Sequence, residues 1–362
     1  MNLHFHGSYL ADDVTVLLQP YAFTSLAQTD ISGLGSVGME MAQEAAHQRL
    51  FDGSYMRLFE DSLQRNCDRV ALDAVRIARA LHQRHGHDIA IVSLMRAGTV
   101  AGVLLQRALR LMGCRSTHYT TNVVQGLRCA EALDVILSRH SDGKVVFVDG
   151  WTGKGSVAGQ LKKFIAGFNQ QRGTKVSAEL TVFSDPGGVA ALSAGGDEYM
   201  QPHALLRVTG SGLFSGAIAD ADPDAVPFLD ACVHYDNLKK FDVTQYHLGQ
   251  ITAAAARLLN ASAATWTDQN RQPLREIGLR FVEESRSRYG ADTRVRPGLC
   301  EAARALVKYN PKMVLRLRNA ADPDVPALIA LAERKGHAIH VDSNLPYRAA
   351  VMVLKNESSG KE

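Results

Sequence analysis

The chain has 362 residues, 46% of them hydrophobic, which is enough for two ordinary domains with separate cores. Forty Lys and Arg against 37 Asp and Glu leave a formal charge of +3, too near balance to announce nucleic acid, so any basic surface must be local. Cys67, Cys114, Cys129, Cys232 and Cys300 form no CxxC pair and no zinc-like spacing, which argues against a disulfide framework or a metal module and fits reduced cytosolic thiols.

At the start of the chain, Met1 to Gly7 lacks the basic region and apolar run of a signal peptide, and no later apolar stretch is long enough to span a bilayer. Cytoplasm is the expected location, with no membrane partner. Residues 57–84 carry Leu58, Leu63, Val70, Ile77 and Leu81 at helical spacing and stop at His85-Gly86-His87. The apolar run 89–94 suits a buried parallel strand, and a loop, 95–98, leads to a helix over 100–112. A strand near 116–124, a helix over 130–138, a strand over 144–149, a helix over 157–167 and a strand over 178–184 follow. Such alternation predicts an α/β fold with a doubly wound parallel sheet and ligands at the carboxyl ends of its strands. Residues 260–296 turn polar and read as a connecting helix and linker. Beyond them, helix 299–308, strand 313–317, helix 325–335, strand 338–341 and the apolar run 349–354 predict a small α/β/α sandwich. The expected division is therefore 1–260, 261–296 and 297–362.

The segment from Val145 to Ser156 places Asp149 at the end of a buried strand and then opens a helix with Gly150, Thr152, Gly153, Lys154, Gly155 and Ser156. Backbone N–H groups at such a helix start, with the two hydroxyls, can surround a phosphate. A Walker loop fails on spacing, because Gly150 to Lys154 is too short and Gly155 follows the lysine. The plain alternative is a structural strand-to-helix turn. A second anion site is read at Arg96, Ala97 and Gly98, where an arginine fork follows a strand and precedes a helix. His118, Tyr119 and Arg128 lie in the stretch between the two, 115–128, a candidate closing loop or, equally, a strand.

The Asp149 turn resembles the donor-binding motif of type I phosphoribosyltransferases, with Gly150 where that family has a second acid and a turn about one residue short. The Arg96-Ala97-Gly98 triplet is similar to the pyrophosphate loop of uracil-type members. The resemblance implies a phosphoribosyltransferase fold and activity on a base-like acceptor, with phosphoribosyl pyrophosphate (PRPP) as co-substrate, Mg²⁺ bridging its oxygens, and Asp149 and Arg96 as catalytic groups. Pro297 to Arg304 resembles the helix start of the Pelota and kink-turn-binding superfamily, which implies RNA contacts from Gly298, Glu301, Arg304 and Arg348. In that superfamily an asparagine stands where this chain has Cys300, so backbone contacts from Lys308, Lys312, Arg316, Arg318 and Arg348 are expected rather than base reading. The pairing of the two resembles proteins of tellurium-resistance and stress-response systems, some of them labelled StiP-type cysteine proteases. A non-catalytic RNA-binding regulator is the second reading. A cysteine peptidase is the third, and no cysteine stands in a recognisable nucleophile context, so all five thiols are expected to be buried. The sequence leaves homo-oligomerisation and the acceptor open.

Overall fold

The computed structural model describes residues 5–22, 44, 48, 51–122, 129–140, 144–216, 230–260, 268–308 and 311–355. Helix α1 (Gly53–His85) starts four residues earlier than its apolar periodicity alone indicates, because the Asp52 side chain accepts from Tyr55 N and caps it. Tyr55, Phe59, Leu63, Val70, Ala74, Ile77 and Leu81 form its buried stripe, and Gly86, at φ 70°, ends it.

Six strands make the main sheet in the order β1-β4-β3-β5-β6-β7, and every neighbouring pair is parallel. They are β1 (Thr15–Val16), β3 (Ile89–Leu94), β4 (Ser116–Thr121), β5 (Val145–Trp151), β6 (Leu180–Ser184) and β7 (Leu192–Ser193), while β2 (Gln19–Ala22) pairs separately with β8 (Ala231–His234). The central strands β3, β5 and β6 are buried throughout, as runs covered on both faces must be. One face packs on α1, α2 (Ala97–Leu111) and α5 (Thr244–Arg257), the other on α3 (Cys129–Arg139) and α4 (Ser156–Arg172). This is a six-stranded parallel sheet flanked by helices. The chain runs from β3 to β4 on one side and then crosses to β5 and β6 on the other, so β3 and β5 border the point where direction reverses.

Gly98 makes that border possible. A Cβ there would lie 2.6 Å from Val148 O and 3.2 Å from Asp149 Cα, so only glycine lets the start of α2 meet β5 this closely.

The segment read as a connecting helix and linker holds a helix and the start of a strand, and both contribute to the core. Helix α6 (Asp268–Tyr289) buries Phe281 against Tyr347, with ring centroids 5.2 Å apart, and Arg294 opens a strand. A second sheet, in the order β11-β10-β12-β9, is built from β9 (Arg294–Pro297), β10 (Met313–Leu317), β11 (Ala338–Val341) and β12 (Ala349–Val353). Helix α6 covers one face. On the other, α7 (Leu299–Lys308) and α8 (Pro326–Arg334) join the same continuous apolar cluster as α1. Among the described residues, no helix is long and apolar enough to cross a membrane.

Candidate active site

At the carboxyl ends of β3 and β5, Asp149 is buried and its Oδ1 accepts from Gly150 N at 2.8 Å. Burial pushes its carboxyl up to about 7, and the nearby Glu301 adds to this while Arg304 opposes it. Gly150 stands where the resembled family has a second acid; a Cβ there would sit 3.0 Å from Gln201 Oε1, and Gln201 Nε2 donates to Gly150 O at 2.7 Å.

The turn expected to cradle a phosphate is largely spoken for by protein. The Thr152 hydroxyl donates to Asp185 Oδ1 at 2.6 Å and accepts from Gly187 N at 3.0 Å. Glu301, reaching across from α7, accepts from Trp151 Nε1 at 3.0 Å, and a Cβ on Gly153 would lie 2.9 Å from its Cγ. A carboxylate therefore faces the turn. About 160 Å³ of cavity remains, bordered by Asp149, Gly155, Ser156, Arg296, Arg304 and Lys308. Gly155 keeps its expected role as the left-handed residue, at φ 84°, that opens α4. Lys154 is half-buried, its ammonium held below its usual range by burial and by Arg296 and Arg286.

Other residues named from sequence are placed elsewhere. Arg96 stands at the start of α2 and exerts its charge on Tyr9; the cavity is bordered by Met95, with Ala97 packed near Gly150 and Gly98 against β5. His118 and Tyr119 belong to β4 and are buried, which removes them from any closing loop. His118 is locked between Ser93 Oγ and Asp13 O, each at 2.8 Å, and burial lowers its imidazole to about 4. Arg128 lies outside the described residues. Gly298, at φ 95°, opens α7, and there Leu299 N and Arg348 N donate to Glu198 at 2.9 and 3.0 Å. Arg348 donates to Asp322 at 2.7 Å and to Glu198 O at 2.7 Å, and Arg304 lies over the Trp151 ring at 5.6 Å. Glu301, Arg304 and Arg348 thus make contacts within the chain, whereas Lys312 and Arg318 are exposed.

A contact between a thiol and an imidazole lies at the opposite, amino ends of the strands. Cys114 follows α2 in the turn that leads into β4, and its Sγ lies 3.0 Å from His82 Nδ1, in the last turn of α1. Gly86 O is 3.2 Å from the sulfur and 3.0 Å from the same nitrogen. Pairing of β3 with β4 creates this meeting, because Asp88 N and Ile89 N both donate to Arg115 O. Cys114 borders a surface cavity of about 720 Å³ with Asp88, Arg110, Arg115, Arg139 and His140. Asp88 takes up a left-handed φ of 63° and is gripped by the Arg115 guanidinium through two hydrogen bonds of 2.9 Å. Burial, with some help from Asp88, pushes the Cys114 thiol up, so the sulfur rests protonated.

The other thiols have different surroundings. Cys232 and Cys300 are sealed in apolar core, which holds both thiols far above their ordinary range. Cys67 is half-buried on α1, and Cys129 Sγ donates to Asn122 O at 2.7 Å from the first residue of α3.

Residues 7–252 match a family described as tellurite-like stress resistance cysteine protease StiP. The chain belongs to this StiP family. A relative named cysteine protease StiP, from Acinetobacter baylyi, is 30% identical over 369 residues, covering 97% of this chain and 94% of its own length. Residues 276–355 match the Pelota RNA-binding domain, in keeping with the resemblance of 297–304 to that superfamily. The stress-resistance and StiP resemblance stands. The phosphoribosyltransferase activity does not: the StiP family and this relative are named for a cysteine protease, and the Asp149 turn is occupied by Asp185 and Glu301. With that activity go the reasons for expecting PRPP, an acceptor base and Mg²⁺. The reading that gave the thiols no catalytic part is corrected with it.

Proposed function

We propose that the chain is a thiol-dependent peptidase with Cys114 as nucleophile and His82 as its base. The observation that carries this reading is the 3.0 Å contact of Sγ with Nδ1 on the border of a cavity of about 720 Å³, in a chain of the StiP family. Sγ attacks the peptide carbonyl carbon while its proton passes to His82 Nδ1. The tetrahedral adduct then collapses, the C–N bond breaks, and the same proton goes to the departing amine. Water cleaves the resulting thioester, its hydroxyl joining the acyl group and its proton returning to sulfur through His82. Arg110, Arg115 and Arg139 outweigh Asp88 around the cavity, which favours acidic stretches of substrate. Alkylation of the purified chain with iodoacetamide is expected to abolish cleavage of an acidic peptide library in step with modification of Cys114, followed by peptide mapping. Cleavage that survives full alkylation of Cys114 would reject the assignment.

RNA binding is a second reading, favoured by a cluster of cations that spans both sheets. Burial lowers the Lys154 ammonium and Arg296, Arg286 and Arg294 add to it, while Arg304 and Lys308 border the same cavity. Like charges crowded in this way are what a polyphosphate strand neutralises. The Lys154→Glu, Arg286→Glu pair is expected to weaken binding of a bulged duplex RNA and to flatten the slope of log affinity against log salt by about two. An unchanged slope in filter-binding assays would place the RNA elsewhere.

A further inference from the structure

We propose that His82, His87 and Cys114 form a binding site for a borderline divalent cation of the zinc type, and that its occupation switches off the thiol. The site itself stands on geometry alone; the switch rests on the peptidase reading above.

The ligand atoms of the three residues all lie within 4.8 Å of one another. Two stretches of chain supply them. His82 belongs to the last turn of α1, and Gly86, in its left-handed conformation, folds the chain back so that His87 returns to the ring of His82, centroid to centroid 5.1 Å. Cys114 arrives from the turn after α2. Tetrahedral zinc holds sulfur at about 2.3 Å and nitrogen at about 2.0–2.1 Å, which puts its ligands about 3.5 Å apart. The 3.0 Å between Sγ and Nδ1 needs only a small rotation to open that far.

The donor set selects the ion. One thiol and two imidazoles suit zinc and its neighbours, whereas magnesium and calcium require oxygen ligands. The position also favours a cation, since the carboxyl end of α1 presents the negative end of a 33-residue helix. His87 is exposed and gives the ion a way in, and a fourth position remains for water or a carboxylate.

Binding would displace the thiol proton and commit both the sulfur and the His82 nitrogen to the metal. Neither atom could then serve a peptide carbonyl. Sequence spacing conceals the set because His82 and His87 are five residues apart with Cys114 a further 27 along, a pattern of no known metal module.

Cobalt(II), added to the full-length chain after chelator treatment, tests the site directly. One equivalent is expected to produce a sulfur-to-metal charge-transfer band with the visible bands of a tetrahedral ion, and Zn²⁺ should bleach them. Cys114→Ser should lose the charge-transfer band, and His87→Ala, altered at an exposed position, should bind at least about tenfold more weakly. Cys67→Ser should leave the spectrum intact. No charge-transfer band, or an undiminished one in Cys114→Ser, overturns the site. The two readings fail separately. Cobalt bound through Cys114 in a chain whose peptide cleavage ignores Cys114→Ser would keep the metal and reject the dyad. Cleavage dependent on Cys114 without a cobalt band would do the reverse. Cleavage that needs Cys114 and continues under saturating Zn²⁺ would remove the switch alone.

Discussion

Replacing Cys114 by serine is expected to lower peptide cleavage by at least about 10³-fold while leaving the unfolding midpoint nearly unchanged. Serine is close to cysteine in shape and can still donate to His82 Nδ1 or Gly86 O, the two partners of the thiol, so the turn after α2 should persist. What is lost is nucleophilicity. His82→Gln should cost a similar factor, because an amide can hydrogen-bond to Gly86 O but cannot carry the thiol proton through the attack and hand it to the amine. The double variant should be scarcely worse than either single one, as groups that act as a unit behave non-additively. Initial rates on one acidic peptide, with circular dichroism melts of each variant, decide the matter. Cys129→Ser is the informative comparison. Its sulfur, on the first residue of α3, donates to Asn122 O, and Asn122 borders the cavity at the carboxyl ends of the strands. If the collapse in rate follows Cys129 and spares Cys114, the nucleophile is at the carboxyl ends of the strands.

The contrast between these two ends explains what sequence reasoning could and could not reach. The runs 89–94, 144–149 and 178–184 announce buried parallel strands because they are largely apolar, and their order implies crossover helices; the observed strands are 89–94, 145–151 and 180–184. The glycine-spaced turn after Asp149 is equally visible. Its occupation is not, since Glu301 comes from a helix 150 residues further on and Asp185 from the next strand. His118 and Tyr119 sit in a stretch with no apolar alternation, yet their polar groups are satisfied inside the sheet by Ser93, Asp13 and His140. Cys114 and His82 are joined only through the pairing of β3 with β4 and the return at Gly86. The cluster His82, His85 and His87 was a signal, but it reads first as the end of a helix. A partner fixed by sheet order rather than by spacing is what a single sequence conceals best.

Asp149 and Glu198 should each withdraw stability as the pH rises from about 5 to 8, while the buried His118 and His247, lowered to about 4, restore it over the lower part of that range, so each acid is read through its own variant. Burial raises Asp149 from 3.8 to about 7 and Glu198 from 4.5 to about 7, against the opposing effects of Arg304 and Gly150 N–H on the first and of Arg348, Leu299 and Arg318 on the second. In the unfolded chain both carboxyls ionise near their ordinary values. Between about pH 4 and 7 the native state therefore holds protons that the unfolded state has released, and their contribution to the unfolding free energy declines as pH climbs through that window. Each pKa unit corresponds to about 1.4 kcal/mol, so the full displacement is of the order of 4 kcal/mol for Asp149 and 3 kcal/mol for Glu198. Glu301, held low by Arg304 and Arg296, acts in the opposite sense, but its contribution is lost only under more acidic conditions. Asp149→Asn isolates one group: the amide oxygen can still accept from Gly150 N, and no proton is linked to folding. Urea titrations should find the variant close to the parent at pH 5 and more stable by about 2–3 kcal/mol at pH 8. Parallel pH profiles for the two proteins would mean that the native carboxyl titrates normally, which requires water, and hence an open turn, beside Asp149. The same comparison with Glu198→Gln probes the seam between the two sheets, where that carboxyl receives Leu299 N and Arg348 N. Ionisation there strengthens both hydrogen bonds but leaves a buried charge, and the sign of the measured slope reports which of the two dominates.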